Sequence, residues 1–110
     1  MEYKYKAVVT DVYDGDTVTA TIDLGFGVFL HNQKIRLFGI DTPELRGEEI
    51  DKGKIARNHL RNRVLHENIE IQTFKDKKGK YGRWLAVLYL DGEDLNEDLY
   101  NRGLAVKVKY

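Results

Sequence analysis

Thr17-Val18-Thr19-Ala20-Thr21-Ile22-Asp23-Leu24 alternates between polar and apolar residues without a break, the period of a strand with one face buried and one in water. The flanking segments read the same way, with turn signals between them. Upstream, a strand from about Tyr5 to Tyr13 is joined to this one through Asp14-Gly15, a dipeptide that accepts the positive backbone angles of a tight hairpin turn. Downstream, Gly25-Phe26-Gly27 reads as a second turn, leading into a strand from about Val28 to Ile40 that carries Ile35, Leu37 and Ile40. Three consecutive antiparallel strands make a meander.

The period then changes. Ile50, Ala56, Leu60 and Val64 fall on one side of a helix expected at about Glu48 to His66, with Arg57, Arg61 and Arg63 over the remainder. A strand follows in which Ile69 and Ile71 alternate with Glu70 and Gln72, and then a charged turn over Lys75-Asp76-Lys77-Lys78-Gly79-Lys80. Trp84 to Leu90 is continuously apolar and predicts the most buried strand. Asp91-Gly92 closes it. Asp94, three residues before Glu97, forms a capping arrangement ahead of a short helix with Leu95 and Leu99 on one face, and Gly103 is the expected stop. The fold class is therefore α+β, mainly β: a five-stranded OB-type barrel with one helix after strand 3 and a short helix after strand 5.

The chain has 110 residues, no cysteine, and 18 Lys and Arg balanced by 18 Asp and Glu. That describes one small domain, residues 1–110, for which a monomer is the expectation. Burying roughly 60 to 70% of its unfolded surface, such a chain folds without disulfides or a structural metal. Disulfide scaffolds, zinc-cysteine sites and cysteine nucleophiles are excluded. No apolar stretch reaches the ~20 residues of a membrane span, and Met-Glu-Tyr-Lys-Tyr-Lys is not a signal region. No membrane partner is expected, and the composition suits the cytoplasm.

Three clusters can carry chemistry: Asp14-Gly15-Asp16-Thr17, Arg36 with Asp41-Thr42-Pro43-Glu44, and Lys80-Tyr81-Gly82-Arg83. Singly, each has a structural explanation as a hairpin turn, a strand end closed by proline, or the far side of a hairpin. Together they say more, because a meander can bring the first two to the same end. Asp16 and Asp41 would then share a small site, unfavourable unless a cation neutralises them or one takes up a proton. Carboxylates with a backbone carbonyl suit calcium or magnesium. Arg36 and Arg83 beside such an ion would grip a phosphodiester, since guanidinium forks bind phosphate oxygens bidentately. Glu44 could orient or deprotonate a water. His59 and His66, seven residues apart on the helix, are too far apart for one metal, and they and His31 are read as solvated or structural.

These blocks, with Leu95-Asn96-Glu97 and Arg102-Gly103-Leu104-Ala105, resemble the staphylococcal nuclease (thermonuclease) family in order and spacing over essentially the whole chain. The resemblance implies a calcium-dependent OB-fold endonuclease that hydrolyses DNA and RNA with little sequence preference, leaving 3'-phosphate ends. It makes Asp16 and Asp41 side-chain ligands of one Ca2+ and Thr42 a backbone-carbonyl ligand. Glu44 becomes the residue near the attacking water, Arg36 and Arg83 the phosphate-binding pair, and Tyr81, with Lys80 beside it, part of the nucleotide pocket. The rival expectation is a catalytically silent OB-fold module that binds nucleic acid or protein. It would have lost site residues; Asp16, Arg36, Asp41, Glu44 and Arg83 are all present. A purely structural part of a larger assembly is a third possibility, since family members continue into a further helix beyond the point where this chain stops. The segment Asp23 to Gln33 is longer than the family's hairpin needs; its Phe26 and Phe29 have two readings, packing on the barrel or on substrate bases, and packing on the barrel is the expectation.

The net charge of zero hides an uneven distribution. Residues 1–45 carry −3, 46–67 +2, 68–90 +3, 91–98 −5 and 99–110 +3. Three negatives of the first segment are Asp16, Asp41 and Glu44, and the basic run Lys75 to Arg83 adjoins the expected site. Nucleic-acid binding is therefore expected to be modest, metal-assisted and weakened by salt.

Overall fold

The alternation at Thr17 becomes a strand whose Val18, Ala20 and Ile22 are buried, in a computed structural model that describes residues 2–78 and 82–109. In chain order the elements are β1 (Glu2–Asp14), β2 (Thr17–Asp23), β3 (Phe29–Leu37), β4 (Ile40–Asp41), α1 (Ile50–Val64), β5 (Asn68–Lys78), β6 (Trp84–Leu90), β7 (Glu93–Asp94), α2 (Leu95–Asn101) and β8 (Val106–Lys107). β1, β2 and β3 form the expected antiparallel meander, from Lys6↔Asp23 to Asp14↔Thr17 and from Asp23↔Phe29 to Thr17↔Arg36. β5 pairs antiparallel with the other edge of β1, and β6 with β5. β6 then closes on β3 in parallel, Ile35↔Trp84 through Leu37↔Ala86, so five strands form a barrel in the order β3-β2-β1-β5-β6. Closure removes the long sheet edges that would otherwise be left unpaired. One apolar cluster, including Val9, Val18, Ile35, Leu37, Ile71 and Leu88, fills the interior, joined by Leu60 and Val64 of α1 and by Leu95 and Leu99 of α2.

Where β3 leaves β6, a buried asparagine takes over the strand's hydrogen bonds. Asn96 accepts from Leu88 N (3.2 Å) and donates to Ala86 O (3.2 Å) and Phe38 O (2.9 Å). Leu88 N and Phe38 O, which the departing strand would leave unpaired, are thereby satisfied, and Ala86 O, which already accepts from Phe38 N at 2.8 Å, gains a second donor. The α2 cap is as expected: Asp94 accepts from Glu97 N at 2.9 Å, and Gly103 (φ 74°) ends the helix.

Several expectations are corrected. The strand foreseen from Val28 to Ile40 is two strands, broken at Gly39 (φ 83°), and Ile40–Asp41 pairs instead with β8. The helix is shorter than 48–66: residues 47–49 form a 3-10 turn and His66 (φ 63°) lies beyond the end. Its inner face is Gly53, Ala56, Leu60 and Val64, and Ile50 is exposed. β5 runs through Lys78, so the charged turn is largely strand; residues 79–81 lie outside the described residues. β6 is not the most buried strand, since only Ala86 and Leu88 are fully inside and its outer face is partly open. Leu24 is exposed, and Phe26 and Phe29 do not pack on the barrel: Phe26 is fully exposed and Phe29 about half. Gly25 and Gly27 carry the hairpin tip away from the wall with φ of 82° and 76°. No helix among the described residues is long and apolar enough to cross a membrane.

Candidate active site

The site lies where the β1–β2 turn, the end of β3 and the segment after β4 meet. Asp14-Gly15 does turn the chain, but without positive angles; those occur at Asp91 (φ 50°) and Gly92 (φ 84°), the two-residue hairpin between β6 and β7. Gly15 is required for a different reason. A Cβ there would stand 2.7 Å from Thr42 Cγ2 and 2.9 Å from Ala56 Cβ, closer than side chains tolerate. Gly53 plays the same part in α1. A Cβ on it would meet the Glu44 carbonyl, with the Glu44 carbonyl carbon at 2.8 Å and Pro43 O at 2.9 Å. Two glycines thus let α1, the Asp16 turn and the Thr42–Glu44 segment press together.

Within this assembly Asp16 Oδ2 accepts from Thr42 N (3.0 Å) and Oδ1 from the Thr17 hydroxyl (3.2 Å). The backbone carbonyl of Asp16 accepts from Leu37 N at 2.8 Å, tying the turn to the strand that carries Arg36. The Arg36 side chain is only 11% exposed, and its Nη1 donates to Leu37 O (2.9 Å) and Ile40 O (2.8 Å). Its Nη2 faces Asp16 Oδ2 at 3.4 Å and binds Asp41 Oδ1. A cleft of about 460 Å³ opens beside this pair, lined by Asp14, Asp16, Asp41, Thr42, Glu44 and Glu49 together with residues 103–106.

The expected residues are placed unequally. Asp16, Arg36, Asp41 and Thr42 touch one another, and Glu44 lines the same cleft with its carboxylate on Arg46 Nε at 2.9 Å. Both ends of that last pair are open to water, so it is easily exchanged for another partner. Arg83 immediately precedes β6, two residues before Leu85, the register partner of Arg36. Lys80 and Tyr81 fall outside the described residues. The histidines are structural or solvated as expected: His59 Nε2 pairs with Asp98 at 2.8 Å, joining α1 to α2, His31 meets the Thr21 hydroxyl at 3.3 Å, and His66 is exposed.

Asp14 was not singled out among the ligands, yet it lines the cleft and accepts from Asp16 N at 3.1 Å. Its carboxyl is pushed up to about 6, first by burial and then by the neighbouring Asp16 carboxylate, with Arg36 pulling the other way. The cleft thus holds more negative charge than Arg36 compensates. Donor chemistry fits a hard divalent cation there: Asp16 and Asp41 carboxylates, the Thr42 carbonyl, and water for the remaining positions. Thr42 Oγ1, buried without a hydrogen-bond partner among the described residues, adds an unsatisfied oxygen beside them. Among the described residues no three His, Asp or Glu side chains are grouped to hold an ion by themselves, so carboxylates would share it with other oxygens.

The raised Asp14 value carries a stability consequence in the metal-free protein. Ionising Asp14 costs the folded state, so its contribution is fully favourable below about pH 4 and is lost as pH rises through about 6. Asp14→Asn, whose amide oxygen can still accept from Asp16 N, is expected to be more stable than the parent at pH 7.5 in chelator. The advantage should vanish near pH 4; denaturant melts at the two pH values measure it, and an equal offset at both would contradict it.

Residues 34–110 match the family model described as staphylococcal nuclease homologue. The thermonuclease of Staphylococcus intermedius is 32% identical over 101 residues, covering 89% of this chain and 56% of that protein. That of Staphylococcus hyicus is 32% identical over 107 residues, covering 94% and 59%. The SPbeta prophage-derived endonuclease YokF of Bacillus subtilis is 33% identical over 96 residues, 84% of this chain and 30% of that protein. The chain spans less than three fifths of the length of each of these relatives.

Proposed function

The chain belongs to the staphylococcal nuclease family, and from that premise we propose that it is a calcium-dependent endonuclease. It hydrolyses phosphodiester bonds of DNA and RNA with low sequence preference and leaves 3'-phosphate ends. Residues 1–110 act in this reading as one staphylococcal-nuclease-like domain and as a monomer. The observation that carries it is Arg36: a nearly buried guanidinium fixed by two backbone carbonyls, with its second nitrogen turned to Asp16 and Asp41 at an acidic cleft.

The chain's own residues divide the work. Asp16, Asp41 and the Thr42 carbonyl would hold one Ca2+, which when bound neutralises their charge and polarises the phosphate. Arg36 keeps Nη1 on Leu37 O and Ile40 O, so the fork is oriented before substrate arrives. Nη2, no longer needed to balance the two carboxylates, turns to a phosphate oxygen and stabilises the charge that grows there. Arg83, one residue before the strand paired with β3, supplies the second guanidinium. Lys80 and Tyr81 contribute to gripping the nucleotide. Glu44 exchanges Arg46 for the attacking water and orients it or takes its proton.

A time course on single-stranded DNA with calcium, with magnesium and with chelator tests this directly. Cleavage is expected with calcium alone, giving fragments that a polymerase extends only after phosphatase treatment. No cleavage at any calcium concentration would overturn the enzyme reading. Tight DNA binding that ignores calcium and survives Asp41→Ala would mark a silent binding module instead.

A further inference from the structure

The acidic cleft is a poor path for a polyanion, because Asp14, Asp16, Asp41, Glu44 and Glu49 all line it. The other side of Arg36 differs. Between Leu24 and Ile40 the sequence holds no carboxylate, and Lys34 and Arg36 are its cations. In β3, Ile35 and Leu37 are buried while Lys34 is exposed, which sets Lys34 on the outer face of the barrel with Arg36. At Asn32 (φ 55°) the strand bulges, shifting the register between Ala20 and Ile22. The bulge keeps the outward sequence going: His31 lies against Thr21, and Phe29 stacks on His31 with ring centroids 6.3 Å apart and 24° between planes. Phe29 and His31 are both exposed, and Phe26 at the hairpin tip is fully so.

We infer that this outer face of β3, Arg36-Lys34-His31-Phe29, is a binding track for single-stranded nucleic acid. It leads the substrate away from the cleaved phosphate and toward the hairpin tip. The stripe is about 20 Å long at ~3.3 Å per residue, enough for roughly four nucleotides, the low end of the sites that such barrels use. A pair of cations followed by a pair of exposed aromatic rings suits a single strand, whose bases are free to stack, and not a duplex, whose bases are already stacked. The carboxylate of β2, Asp23, is the register partner of Phe29, at the aromatic end of the stripe and away from Lys34 and Arg36; it accepts from Gly25 N at 2.8 Å and has Lys6 as its β1 register partner. For its direction the inference rests on the nuclease reading, which makes Arg36 the phosphate site.

Anisotropy of end-labelled (dT)2 and (dT)8 in chelator separates the two readings, since binding is measured without turnover. The parent is expected to prefer (dT)8 by tenfold or more. Phe29→Ala should lose about tenfold on (dT)8 and nothing on (dT)2, as for one stacked base. Phe29→Trp should keep the affinity and gain an emission component quenched by (dT)8. Lys34→Ala should lower the salt slope by about 0.7, one phosphate contact on a single strand. Unchanged (dT)8 binding in both alanine variants, or no binding by the parent, overturns the track. So does loss in Phe29→Ala of self-association or of binding to phosphatidylserine vesicles with (dT)8 binding intact. Length-dependent binding without calcium-dependent cleavage keeps the track and removes the nuclease reading; cleavage without length dependence does the reverse.

Discussion

Arg36→Ala is expected to lower the rate of single-stranded DNA cleavage at saturating calcium by ~10²-fold or more, the loss typical of a donor aimed at developing charge. It should also destabilise the metal-free fold by about 2–4 kcal/mol, because two charge-assisted hydrogen bonds to Leu37 O and Ile40 O disappear and Asp16 is left buried with its negative charge less compensated. The side chain is 11% exposed, so solvent screening recovers little of this. Loss of rate and loss of stability are separable. Arg36→Lys keeps the charge but not the planar fork, so it should recover part of the stability and little of the rate. Arg83→Ala should show the rate loss, since the proposed reaction gives it the same role. Steady-state rates beside denaturant melts, each with and without calcium, read both quantities. Near-normal rates in Arg36→Ala and Arg83→Ala together would remove the site assignment.

What was legible beforehand follows from the range of the interactions involved. The meander could be read because alternation is local, and Thr17 to Ile22 states its period within six residues. The cap at Asp94 and the stop at Gly103 were legible for the same reason. The grouping of Asp16, Asp41 and Arg36 rested partly on chemical type, since two carboxylates at one end of a barrel need a positive partner, and Arg36 contacts both. What escaped the sequence depends on contacts between distant segments. Gly15 looked like a turn residue, and only the approach of Thr42 and Ala56 shows it to be a packing residue. Asn96 lay inside a recognised block, but its three bonds to Phe38, Ala86 and Leu88 exist only once β3 and β6 part. Continuous apolarity in Trp84–Leu90 suggested burial on both faces, whereas barrel closure leaves the outer face of β6 partly open. Phe26 departs in the opposite direction: an aromatic side chain favours packing, but the two glycines flanking it hold it in solvent.

Gly53 is the residue least visible in the sequence and the one whose substitution sets two principles against each other. A glycine inside a helix costs about 1 kcal/mol relative to alanine, so propensity alone predicts that Gly53→Ala stabilises the protein by that amount. Packing predicts the reverse. The new Cβ would collide with the Glu44 carbonyl oxygen and stand 2.8 Å from its carbon and 2.9 Å from Pro43 O. These are backbone atoms, held by Thr42 N on Asp16 and by Pro43 itself, and they cannot rotate aside as a side chain would. Overpacking of this kind costs about 1–3 kcal/mol, which outweighs the helix gain. Gly53→Ala is therefore expected to be less stable than the parent by about 1 kcal/mol, while Lys54→Ala, exposed on the same turn, stays within ~0.5 kcal/mol. The larger effect falls on activity. Relief of the clash moves the segment that carries Thr42 and Glu44 away from Asp16, and a displacement approaching 1 Å can cost up to ~10²-fold in rate. Calcium should then bind more weakly to the same variant, because in the proposed site Thr42 supplies one ligand, and its amide holds Asp16. A Gly53→Ala protein that melts higher than the parent and cleaves at the parental rate would show that α1 does not set the position of the site.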